Sequence, residues 1–183
     1  MVQEFITKPL ILASASPWRA QLLSLVGLEF ETRPSHLDEE KFAVPEPEKH
    51  VLQLSRLKAE SVSESIRNGL VLGSDTVVVL DDAILEKPAD ENDARRMLKL
   101  LSGRFHQVYT GFTLIDQPSG RSISEFDMTR VHFRELSDRE IDDYIASGSP
   151  MDKAGAYGIQ DSSAIFVDRI EGCFYNVVGF PLA

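Results

Sequence analysis

The sequence predicts an α/β protein built on a mixed central sheet. Two observations carry that expectation. Short apolar runs alternate with amphipathic helical stretches in the first half, and long alternating runs joined by turn sequences dominate the second. A third bounds it: 183 residues, 43% hydrophobic and 26% charged, suffice for one domain or for two small lobes sharing a core.

Residues 10–13 read as a buried strand. Ser14, Ala15 and Ser16 follow, and Pro17 opens a helix at a position where its missing N–H costs nothing. Leu22, Leu23 and Val26 share one face of that helix, and Gly27 ends it. Residues 28–32 form the next strand. The polar, acidic and proline-bearing stretch 33–47 reads as a loop holding Asp38, Glu39 and Glu40. Val51, Leu54, Ser55, Lys58, Ala59 and Val62 recur at helical spacing, predicting a long helix over 48–68 closed by Gly69. Residues 70–72 are then a short strand ending at Gly73-Ser74-Asp75-Thr76, and 77–80 and 83–85 make a hairpin around Asp81-Asp82. Pro88 and Asp90 begin a helix through Leu101. Residues 105–115 and 122–133 read as two long strands around Asp116-Gln117-Pro118-Ser119-Gly120. Ser137-Asp138-Arg139-Glu140 is a capping box for a helix through Ala146. A glycine-bearing loop over 148–160 precedes a last strand pair, 164–170 and 174–178, around Glu171-Gly172.

Composition narrows the function. A net charge of −10 argues against binding a nucleic-acid backbone, which needs a basic face. No apolar run is long enough for a bilayer, and residues 1–5 lack the pattern of a secretory leader, so neither membrane nor export is expected. Cys173 is the only cysteine, which excludes an intrachain disulfide and a multi-cysteine zinc site. A reducing cytoplasm is the simplest setting. A phosphate ligand stays open, provided local cations or a divalent metal offset the acidic surroundings.

Three constellations bear chemistry. The strand-to-helix junction at Ser14, Ser16, Pro17, Trp18 and Arg19 gathers free backbone N–H groups, hydroxyls and a guanidinium, as an anion site would. A capped surface helix explains the same residues. Trp18, the only tryptophan, is either a stacking face for a base or core. Asp75 closes an apolar strand, where α/β folds place ligands; it holds a metal or orients a water, or it is an Asx-type turn. Lys58, Lys87 and Lys153 are ordinary snorkelling lysines or the cations a polyphosphate needs. Gln160 can read the edge of a base. His36, His50, His106 and His132 are scattered; no nucleophilic triad is supported, and His50 and His132 read as surface residues.

Taken together, these ordered pieces resemble the Maf family of nucleoside triphosphate pyrophosphatases. The resemblance runs through Ser14-Ala15-Ser16-Pro17-Trp18-Arg19, Asp38-Glu39, Lys58-Ala59, Gly73-Ser74-Asp75-Thr76, Glu86-Lys87-Pro88, Tyr109-Thr110-Gly111, the segment 152–160 and Val178-Gly179-Phe180-Pro181-Leu182. It implies one domain over 1–183 with an elongated, two-lobed fold akin to the inosine triphosphatases and a cleft between the lobes. It implies hydrolysis of a nucleoside triphosphate to the monophosphate and pyrophosphate with magnesium or manganese, and a homodimer. Asp75 then matches the proton acceptor and, with Glu39, the metal site. Ser14, Ser16, Arg19, Lys58, Lys87 and Lys153 would hold the substrate, and Trp18, Thr76 and Gln160 would choose the base. One branch of the family resembles a dTTP and UTP pyrophosphatase, another prefers 7-methyl-GTP. Thr76, Gln160 and the loop through Lys153 match the first branch; Trp18, where that branch usually has arginine, matches the second. An older description, septum formation inhibitor, implies a regulator of cell division. Two departures stand out: Gln53 occupies a position where arginine is common, and relatives usually continue into a last helix beyond Leu182.

Overall fold

The computed structural model describes residues 6–182, except the side chain of Glu40. The leader reading over 1–5 and the end of the chain at Ala183 lie outside them. Seven strands form one mixed sheet: β1 (Leu10–Leu12), β2 (Phe30–Thr32), β3 (Gly69–Leu80), β4 (Ala83–Leu85), β5 (Phe105–Gln117), β6 (Arg121–Phe133) and β7 (Val167–Glu171). The spatial order is β2-β1-β3-β5-β6-β7, with β4 also on β3. β1 runs parallel to β2 and β3, and all other pairings are antiparallel. The mixed α/β expectation is met. No helix among the described residues is long and apolar enough to cross a membrane.

Among the described residues, five α-helices cover the sheet: α1 (Pro17–Leu25), α2 (Pro47–Ser63), α3 (Glu91–Leu101), α4 (Asp138–Ala146) and α5 (Phe174–Val178). α2 seals one face, where Ala59 and Val62 pack with Ile11, Val71 and Ile115, and Val51 packs with Val77 and Val79. α1 serves the opposite face through Leu23 against Leu12 and Leu72. α3 and α4 bury Met97, Leu98, Leu101, Ile141 and Ile145 with Val78, Val108, Val131 and Phe133. Local signals do their work at the helix starts: Ser16 and Asp90 accept from Arg19 and Asp93 N–H, and Ser137 and Glu140 close a complete capping box. Asp81 and Asp82 both take positive φ in the tight β3–β4 turn.

Several expected boundaries change. The expected strand 164–170 begins only at Val167, because Asp161 caps a 3₁₀ turn over Ser162–Phe166, and the loop 148–160 holds two further 3₁₀ turns. α2 stops at Ser63, because Ser65 and Ile66 N–H turn to Val62 and Ser63 carbonyls and draw Ile66 onto the Ile11 cluster. The loop at 33–47 contains a 3₁₀ turn, Glu39–Phe42. β3 does not break at Gly73; β5 pairs with it from Gly69 to Val79. The expected last strand, 174–178, is instead α5. Its aromatic and β-branched composition favours a strand, but buried Asn176 holds it as a turn of helix by donating to Val108 O and Thr129 Oγ1, both 3.0 Å.

Candidate active site

The site is organised by β3 and by a break along its edge. On the side away from β5, β1 pairs with Leu70, Val71 and Leu72, and β4 pairs with Val78, Val79 and Leu80. Between these, residues 73–77 have no strand beside them. The strand's alternation then sends neighbouring side chains to opposite faces. Asp75 points to α2, and Thr76 points to α1 and α5.

On the Asp75 face, two glycines set the geometry. A Cβ on Gly73 would lie 2.1 Å from Ser55 O, and one on Gly111, the β5 partner of Asp75, 2.5 Å from the Val51 backbone. Only glycine lets α2 lie this close to the sheet. The close approach brings buried Lys58 onto Asp75. Its Nζ donates to Asp75 Oδ1 at 2.7 Å and to Glu39 Oε2 at 2.8 Å, so one cation bridges two carboxylates. Asp75 Oδ2 is buried and has no hydrogen-bond partner. His50, two turns before Lys58 on α2, faces that bare oxygen: Nε2 is 3.9 Å from Asp75 Oδ2 and 3.8 Å from Glu86 Oε1. Partial burial pushes the Glu86 carboxyl above its ordinary range, with Asp75 and Glu39 adding to the push and His50 opposing it.

On the Thr76 face, Arg19 is tied at three points. Nε donates to Gly179 O at 2.9 Å, Nη1 to Ser14 Oγ at 3.1 Å and Nη2 to Thr76 Oγ1 at 3.0 Å. Burial lowers the guanidinium from its ordinary value and Asp75 and Glu39 oppose this; it stays charged. Thr76 Oγ1 lies 2.9 Å from Thr110 Oγ1, which donates to Asn176 O at 2.9 Å. Ser16 caps α1, and its N–H donates to Ser14 Oγ at 3.2 Å.

Seven of the residues singled out in the sequence therefore meet around one stretch of strand: Ser14, Ser16, Arg19, Glu39, Lys58, Asp75 and Thr76; Trp18 precedes Arg19 on α1. Trp18 is half-buried and belongs to none of the apolar core clusters among the described residues, so its core reading is not supported. The Asx-turn reading of Asp75 gives way, because the residue lies inside a continuous strand. Lys87 is exposed just past β4, next to Glu86. Lys153 is not brought to this cluster by any contact. Its Nζ donates to Ser149 O at 2.6 Å and Asp152 Oδ1 at 2.7 Å. Gln160 lies across Gly158 from it, with Oε1 buried and unpartnered. Their loop is seated near the site through Gly155, whose N–H donates to Glu86 O at 3.1 Å and whose Cα side faces Val78.

His50 is a correction: it is 2% exposed, not a surface residue. Its place on the apolar stripe with Val51, Leu54 and Lys58 was the available signal. Glu86 and the Gly179 carbonyl were also missed as members of the site.

The family profile described as "Maf-like protein" matches residues 9–183. Three curated relatives are each called dTTP/UTP pyrophosphatase. The Syntrophomonas wolfei protein is 47% identical over 94% of this chain and 91% of its own. The Geobacillus sp. protein is 49% identical over 96% and 94%, and the Carboxydothermus hydrogenoformans protein 49% over 94% and 92%. Among solved structures, a HAM1 protein from Coxiella burnetii aligns with a TM-score of 0.49 and 16% identity, over 86% of this chain and 90% of that one.

Proposed function

The chain belongs to the Maf family, and from that premise we propose that it hydrolyses nucleoside triphosphates, dTTP and UTP foremost, to the monophosphate and pyrophosphate. The carrying observation is the Asp75 cluster. A buried carboxylate has one oxygen neutralised by Lys58 and the other bare, beside an open stretch of strand edge. That arrangement suits a group that takes a proton from water. Water attacks the α-phosphorus, its proton passes to Asp75, the new P–O bond forms and the bond to the β-phosphate oxygen breaks, releasing pyrophosphate. Lys58, Arg19 and Lys87 supply positive charge for the phosphates, Ser14 and Ser16 supply hydroxyl and backbone donors, and Lys153 adds a cation from the loop.

A divalent ion such as magnesium or manganese fits the residues present. Glu39 and Asp75 already share one cation at hydrogen-bond distance, and hard ions take carboxylate oxygens. No set of three or more His, Cys, Asp or Glu side chains among the described residues forms a metal cage. That suits an ion held by these two carboxylates together with substrate phosphates. Such an ion supplies charge stabilisation of the phosphates and the departing pyrophosphate.

Thr76 and Gln160 favour a pyrimidine. Trp18 gives a second reading, 7-methyl-GTP, because it precedes Arg19 on α1, half-buried and outside the apolar core clusters of the described residues. A regulator of division that binds nucleotide without turnover is the third. We place the enzyme in the cytoplasm, acting on free nucleotides, not on nucleic acid or membrane. A homodimer has an unpaired edge to use, since β7 covers β6 only from Arg130 to Phe133. Pyrophosphate release from dTTP, UTP and 7-methyl-GTP, with either metal, separates the readings. Fastest turnover of dTTP and UTP, lost in Asp75→Asn, is the expected result. Binding of dTTP without release would select the regulator, and a wide margin for 7-methyl-GTP would assign the base choice to Trp18.

A further inference from the structure

We propose that His50 is a positioning residue that, with Asp75, holds the attacking water; this rests on the pyrophosphatase reading above. The imidazole enters from the first turn of α2 and is 2% exposed. A buried ring of this kind needs polar partners at both nitrogens. Nδ1 has one in Val44, donating to its carbonyl at 3.1 Å; the Val44 N–H, 3.4 Å away, would serve only the other tautomer. That tie fixes the plane of the ring. Nε2 has none at hydrogen-bond distance. It looks across 3.9 Å at Asp75 Oδ2 and 3.8 Å at Glu86 Oε1.

Asp75 Oδ2 is the other half of the argument. It is buried and makes no hydrogen bond. Lys58 is committed to Oδ1, and Glu39 is committed to Lys58, so neither neighbour serves Oδ2. Two polar atoms 3.9 Å apart are too far to bond directly, and one water set to the side of the line joining them reaches both. With Nδ1–H donating to the closer Val44 carbonyl, Nε2 presents a lone pair. A water in that gap donates one proton to Asp75 Oδ2 and the other to His50 Nε2. Both protons are then held, and the oxygen lone pairs are left for phosphorus. During attack the proton on Oδ2 transfers to Asp75. The one on the His50 side stays with the oxygen and ends in the nucleoside monophosphate. His50 gives up and takes up nothing; it removes the rotational freedom of the nucleophile.

The test is a steady-state series on dTTP with magnesium, using His50→Gln, His50→Asn and His50→Leu. Glutamine carries its amide to about the reach of Nε2, whereas asparagine reaches only about as far as Nδ1, so Asn keeps the Val44 tie and loses the water. We expect His50→Gln to keep kcat within about fivefold of wild type, and His50→Asn and His50→Leu to lose about 30-fold in kcat with KM within about twofold. Melting curves verify that the variants are folded. Should His50→Leu unfold, the Gln and Asn pair decides alone. Equal activity in Gln and Asn, or losses that appear in KM, would overturn the proposal and leave His50 a packing residue. A wild type that releases no pyrophosphate from any triphosphate overturns the functional reading itself, whereas an active wild type with indifferent His50 variants overturns only this one.

Discussion

Adjacent residues of β3 face two different environments. Thr76 belongs to a connected network, saturated at its hydroxyl: it accepts from Arg19 and meets Thr110, while Arg19 is tied to Ser14 and the Gly179 carbonyl and Thr110 to the Asn176 carbonyl. Asp75 belongs to an unsaturated one, in which a carboxylate oxygen, an imidazole nitrogen and Glu86 stand near each other without bonding. Buried polar groups are ordinarily satisfied, so an unsatisfied cluster marks where binding energy is held for a ligand. On the proposed reading, the contrast separates a face that positions substrate from a face that reacts.

Breaking the reactive face should cost most. Asp75→Asn removes the proposed proton acceptor while keeping shape, and kcat should fall about 10³-fold with little change in KM, measured by pyrophosphate release. Next comes the seating of that face. Gly111→Ala drives a methyl into the Val51 backbone, so α2 must lift, at about 2–3 kcal/mol. The melting temperature should drop by roughly 5–10 °C, and kcat should fall with it because Lys58 and His50 ride on α2. A third test lies away from both faces. His106 is buried against Tyr157 and Phe133, with Nε2 2.8 Å from the Tyr157 hydroxyl, and burial pulls its pKa down to about 3. The folded state resists a proton that the unfolded chain accepts below about 6.5, so stability is full above that value and declines as pH falls toward 3. At pH 5 the loss should be about 2 kcal/mol relative to pH 8, and His106→Gln, though less stable at pH 8, should show a flatter pH dependence in thermal melts. The smallest effect belongs to the saturated face. Thr76→Val leaves one Arg19 donor without its acceptor, and a threefold to tenfold rise in KM with kcat nearly kept is expected, about 1 kcal/mol.

How much of this could be read in advance follows the reach of each interaction. Capping at Ser16, Asp90 and Ser137, the Asp81-Asp82 turn and the apolar spacing of α2 are short-range, and each was legible. The Maf resemblance pointed to Asp75, Lys58 and Glu39, which the structure brings together, and to Lys153, which it holds on its own loop. What escaped depends on distant partners. The segment 174–178 reads as a strand until Asn176 meets Val108 and Thr129. His50 shares the apolar stripe of α2, but how deeply that stripe enters the sheet depends on Gly73 and Gly111. The roles of Gly179 and Glu86 have no local signature, since a carbonyl and an exposed glutamate acquire meaning only from what folds against them.

The Arg19–Gly179 hydrogen bond joins residues 160 positions apart. During synthesis, Arg19, Lys58 and Asp75 leave the ribosome long before that carbonyl exists. A nascent chain therefore carries Asp75, Lys58 and Arg19 while the guanidinium still lacks one of its three acceptors, and the last of them arrives only with the end of the chain.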